Sequence, residues 1–155
     1  MRVLAGRYLD RGAPANAARR ILEPARLLTL PQLADRVGVE YRTLHSWLRR
    51  GLLTPSLQKS SGTGVPNLFG QADAVKTKVI AELRQAGLSF EMLNQAATSL
   101  DDHPTALTEG AIVLVNGCVT VADADEAMRA ITSESLTLVY NTRLAIDEIS
   151  RSFER

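Results

Sequence analysis

The chain has 155 residues, 45% hydrophobic and 23% charged, with a net charge of +1, a composition that belongs to a folded protein and not a disordered one. One cysteine and two histidines exclude an internal disulfide and leave little material for a metal centre, so no metal and no cofactor is expected. No stretch approaches the roughly 20 apolar residues of a membrane span and no cleavable apolar leader is read at the N-terminus, so a cytoplasmic location without a membrane partner is expected.

The charge is unevenly distributed. Residues 1–28 carry +4, residues 29–100 carry +3 and residues 101–155 carry −6. Such asymmetry points to a part that faces a polyanion joined to a part that faces something else. Residues 1–27 form a basic arm in which "APANAARRILE" predicts a short helix from about Asn16 to Glu23. In "TLPQLADRVG", Thr29 stands three residues before Gln32 as in a capping box, and Pro31 falls in the first turn, where its missing N–H costs nothing. Leu30, Leu33, Ala34 and Val37 share one face of this helix, and Gly38 ends it. A second helix is predicted from Glu40 to Arg50, stopping at Gly51, with Leu44, Trp47 and Leu48 as its apolar stripe and Trp47 read as core. Arg42, His45 and Arg49 lie on another face with Tyr41 and Ser46 beside them.

"LLTPSLQKSSGTGVPNLFG" is long for a loop without purpose, and its ends "LLTP" and "NLF" could pair as a ribbon with Lys59 to Gly64 at the tip. A third helix, "QADAVKTKVIAELRQAG", is expected to bury Val75, Val79, Leu83 and Ala86; a fourth starts at Ser89 and buries Phe90, Leu93, Ala97 and Leu100. Residues 101–110 read as a linker. Beyond it "AIVLV" and "CVTVA" flank Asn116-Gly117, a strong hairpin signal because a type I′ turn needs positive φ at both central residues. Cys118 is expected to be a buried structural thiol. Asp123 and Glu126 cap a helix with Ala124, Ala127, Met128 and Ile131 in one stripe, "SLTLVY" gives a third strand, and Ile146, Ile149 and Phe153 face one way on a last helix.

Residues 28–100, with "LTLPQLADRVGVEYRTLHSWLRRGLLTPS", a glycine-bearing loop and "QADAVKTKVIAELRQAGLSFEMLNQA", resemble the DNA-binding domain of MerR-type winged helix-turn-helix regulators. The resemblance implies that the second helix enters the major groove, with Tyr41, Arg42 and Thr43 near its N-terminal end, and that the wing touches phosphates. The chain departs from the family pattern with His45 and Ser46 after "TL", with "GVPNLF" where the wing has a "GYR.Y" pattern, and in lacking the long dimerising coiled-coil helix after residue 100.

The fold class expected is mostly α with a small α+β tail: a winged helix-turn-helix domain followed by a ββαβα domain over residues 111–155. The candidate DNA contacts are Tyr41, Arg42, Thr43, His45, Ser46, Arg49 and Arg50 on the helix, and Lys59, Ser60, Ser61 and Thr63 on the wing. Arginines there can grip phosphates or guanine, and His45 or Ser46 can bond to base edges. The apolar strand "AIVLV" wants cover on both faces, which favours a homodimer through residues 111–155 and a two-fold match to an inverted repeat in double-stranded DNA. The tail is also a place for a small-molecule or protein effector. Other readings are an excisionase-like recombination or architectural factor and an antitoxin-type interaction module. No convergent acid, base and nucleophile points to an enzyme.

Overall fold

The computed structural model describes residues 27–59, 61–104, 107, 110–133 and 137–154. In chain order the elements over these residues are α1 (Leu30–Val37), α2 (Tyr41–Arg49), α3 (Gln71–Gln85), α4 (Phe90–Asp102), β1 (Ala111–Val115), β2 (Cys118–Ala122), α5 (Ala124–Ser133), β3 (Thr137–Asn141) and α6 (Thr142–Glu154). The chain is thus mostly helical with one small antiparallel sheet. The helix expected at Asn16 to Glu23 and the wing residue Ser60 lie outside the described residues.

The helical pair forms where its punctuation says. Gln32 Oε1 accepts the Thr29 N–H at 2.9 Å, closing the first turn of α1. Gly38 then takes the left-handed conformation (φ 74°) that stops α1 and swings the chain into α2. Leu30, Leu33, Ala34 and Val37 of α1 and Leu44 and Trp47 of α2 are buried together. Fully burying a side chain of this size contributes about 1.5–3 kcal/mol, which fixes how α2 is rotated about its own axis.

The central helix is α3. It buries residues on all sides, among them Val75, Val79, Ile80 and Leu83, because α1, α4 and α6 pack around it. Ala86, expected inside, is exposed, since the last turn of α3 runs past its neighbours. Lys76 is also buried, its ammonium 2.6 Å from Asp101 at the end of α4. Asp101 and Asp102, placed in the linker by sequence, are the final residues of α4.

In the sheet, β1 lies between β2 and β3 and pairs antiparallel with both. Asn116 (φ 51°) and Gly117 (φ 80°) make the hairpin turn in the conformation that the sequence requires. Alternation then divides the side chains. Ile112, Leu114, Val119, Val121 and Tyr140 join the core formed by α1 to α4 and α6, while Ala111, Val113, Ala122 and Val139 are roofed by Ala127 and Ala130 of α5. Both faces of β1 are therefore covered from within the same chain. Cys118, expected to be buried, is exposed: it falls at the start of β2 beside the turn. Met128 and Ile131 of the expected apolar stripe are 58% and 46% exposed, because among the described apolar residues of α5 it is Ala127 and Ala130 that pack on the sheet.

Polar ties complete the attachment of the C-terminal part. Lys78 on α3 bridges Glu82 at 3.0 Å and Glu148 of α6 at 2.8 Å, and the Thr142 hydroxyl donates to the Gly110 carbonyl at 2.6 Å. Burial pushes the Tyr140 phenol well above its ordinary value, helped by the nearby carboxylates of Glu82 and Glu148. For Lys78, burial alone would lower the pKa, but its hydrogen bonds and charge attraction to Glu148 and Glu82 outweigh that, and the net shift is upward. Both shifts have the same consequence: the folded state holds its proton where the unfolded chain releases one, so the contribution of these two groups to stability is fully present below about pH 10 and is lost as the pH rises above it. Urea melts from pH 8 to 11 are expected to show that decline, and Tyr140→Phe is expected to make it shallower.

Candidate nucleic-acid interface

With Leu44 and Trp47 turned inward, helical geometry leaves one face of α2 to solvent. Tyr41, Arg42, His45, Ser46 and Arg49 are exposed there, and Thr43 is half-buried at the edge. The rings of Tyr41 and His45, one turn apart, stack with centroids 5.9 Å apart and planes at 28°. Among the described residues, those of the acidic C-terminal part do not cover this face.

The ribbon after α2 is held at its base. Gln58 and Leu68 pair as an antiparallel bridge, and the neighbouring Phe69 exchanges two backbone bonds of 2.9 Å with Leu28, ahead of α1. The pairing thus starts further along the ribbon than "LLTP", where Leu52 and Leu53 are instead buried in the core. The clamp below it is Asp73 on α3. Its Oδ2 accepts the Ser56 hydroxyl at 2.6 Å, the Ser56 N–H at 3.2 Å and the Gly70 N–H at 2.9 Å. One carboxylate, 7% exposed, thereby ties the outgoing and returning ends of the ribbon to the central helix. Above the clamp Lys59, Ser61 and Thr63 are exposed, beside Gly62 and Gly64 with positive φ.

Two arginines are used otherwise. The Arg50 guanidinium lies 3.4 Å above the Phe90 ring, so this exposed residue anchors the end of α2 to α4 by a cation–π contact. Arg36 of α1 is half-buried and sits 4.7 Å from the Phe153 ring of α6. It lines a polar groove of about 540 Å³ with Gln32, Asp35, Glu148 and Ser152. Among the described residues, the ion pairs are those of Lys76 and Lys78, and none engages Arg42, Arg49 or Lys59. These three exposed cations are consequently available to an external anion.

Sequence reasoning missed Asp73 and Phe90 as supports of this surface. Asp73 had a readable signal, an acid at the third position of a helix that follows glycine, the usual place for a side chain that caps the helix start.

The arrangement is a short exposed helix edge with unpaired positive charge, placed next to a clamped polar loop. Residues 28–100 match the model of the MerR HTH family regulatory proteins. HTH-type transcriptional regulators of Mycobacterium bovis and of Mycobacterium tuberculosis, themselves uncharacterized, are 29% identical over 70 residues, covering 45% of this chain and 31% of theirs. The aligned part thus represents less than a third of the length of these curated relatives.

Asp73→Ala is expected to lower stability by about 1–3 kcal/mol, because three part-buried donors lose one charged acceptor. Chemical denaturation measures the loss, and amide exchange is expected to quicken most between Ser56 and Phe69.

Proposed function

From the premise that residues 28–100 are a MerR-type helix-turn-helix domain, we propose that the protein is a sequence-specific DNA-binding transcription regulator. It acts as a homodimer on an inverted-repeat operator. The reading is carried by the face of α2, where Arg42, His45, Ser46 and Arg49 are exposed together and, among the described residues, neither arginine has an ion-pair partner.

In this reading α2 lies in the major groove, wide enough to admit a helix. Arg42 forks to guanine, while His45 and Ser46, with Tyr41 and Thr43 at the N-terminal end, meet base edges. Arg49 and the ribbon residues Lys59, Ser61 and Thr63 sit against the phosphates, while Arg50 holds the end of α2 to Phe90. Phosphate contacts fix the register and base contacts the sequence. Residues 111–155 supply the dimer contact, whose two-fold axis coincides with that of the operator. The exposed part of the tail is where an effector or protein partner would act on the regulator.

Selection of bound fragments from genomic DNA, followed by footprinting, is expected to yield an inverted repeat. Arg42→Ala and His45→Ala are expected to relax base preference at one position each, by roughly 1–3 kcal/mol of discrimination. Lys59→Ala is expected to weaken all sequences alike and to reduce the log–log salt slope by about 0.9. If all three variants bind as the unaltered protein does, the groove assignment is wrong.

A further inference from the structure

We infer that the protein pairs with a second copy of itself along β3, so that two three-stranded sheets join into one of six strands. The inference rests on the dimeric reading above and gives it an interface.

A sheet ordered β2-β1-β3 has two outer edges. That of β2 is occupied: α4 packs against the strand, and Gln95 Oε1 accepts the Val119 N–H at 3.1 Å. Among the described residues, the outer edge of β3 has no backbone partner, its ladder being made with β1 alone. Soluble proteins shield such an edge with lysine, proline, a bulge or a buried charge. The β3 segment "TLVYN" has none of these, and it pairs with β1 residue for residue over all five positions without a bulge.

Two exposed apolar side chains, Met128 and Ile131, belong to the helix over this edge. Because β2 and β3 both run antiparallel to β1, they are parallel to each other, and α5 is the crossover between them. With the right-handed sense that such crossovers take, Ala124, Met128 and Ile131 fall on the side of α5 above β3. Met128 and Ile131, 58% and 46% exposed, therefore overhang the unpaired strand.

A copy of the same chain is the occupant that fits both features. About a two-fold axis normal to the sheet, a strand meets itself antiparallel, and its alternating N–H and C=O groups complement themselves. Strand and stripe carry no charge, so two copies meet without opposing like charges. Since α5 lies over β1 and β3, strand spacing of about 4.8 Å sets the two α5 helices about 10 Å apart. That is the distance of packed helices, with Met128 and Ile131 of each copy between them. The same axis puts both DNA-binding parts on the other face of the joined sheet, side by side.

The full chain is expected to sediment at twice the chain mass at tens of micromolar. Met128→Glu combined with Ile131→Glu, both at exposed positions, is expected to keep the circular dichroism spectrum and raise the dimer dissociation constant at least about tenfold. Amide exchange at Val139 to Asn141 is expected to slow as concentration rises. A dimer unaffected by the double substitution, with β3 amides exchanging alike at low and high concentration, overturns this interface and leaves the dimeric reading standing. A monomer throughout overturns both, while footprinting reports on DNA binding separately.

Discussion

One continuous apolar core sets the position of the exposed face of α2. It runs from Leu33 and Leu44 beneath the helical pair, through Val79 and Leu83 of α3, to Ile112 of the sheet and Ile149 of the last helix. Because interiors are close-packed, a shift at one end is resisted by side chains at the other. The rotation of α2, and with it the set of side chains left open to solvent, follows from how Leu44 and Trp47 seat in this core. The ribbon is placed by polar means, through the three donors gathered by Asp73.

The charge division along the sequence has a structural counterpart. Two lysines of the basic part are taken up in folding, Lys76 by Asp101 and Lys78 by Glu82 and Glu148. Asp101 and Glu148 belong to the acidic stretch, so part of its negative charge serves to attach it to the central helix. The cations left outward on α2 and the ribbon stand apart from these pairs. What reads as a polarity of net charge is thus partly an internal neutralisation and partly an exposed surface.

Local periodicity made much of this legible. The helices of residues 28–100, the stop at Gly38, the cap at Ser89 and the hairpin at Asn116-Gly117 depend on contacts a few residues apart, which spacing encodes directly. What covers an apolar face is a long-range matter and was not legible. "AIVLV" demanded cover on both sides, and nothing in the sequence said that α5 and the helical core would supply it. For the same reason Cys118 came out exposed, and Met128 and Ile131 lay open although their spacing implied a buried stripe. On the candidate surface, periodicity separated the exposed side of α2 from the buried one. It could not reveal that Arg50 is stacked on Phe90 or that Arg36 is turned toward Phe153, since both partners are distant in sequence.

The sharing of Leu100, Ile80 and Leu83 with Ile112 and Ile149 also bears on how such a chain can be varied. A helix-turn-helix part whose interior is finished by the residues that follow it is not a cassette. Grafted onto a different tail it would present raw apolar surface to water, so the two parts are bound to diverge together, each accepting only those changes that its other half can accommodate.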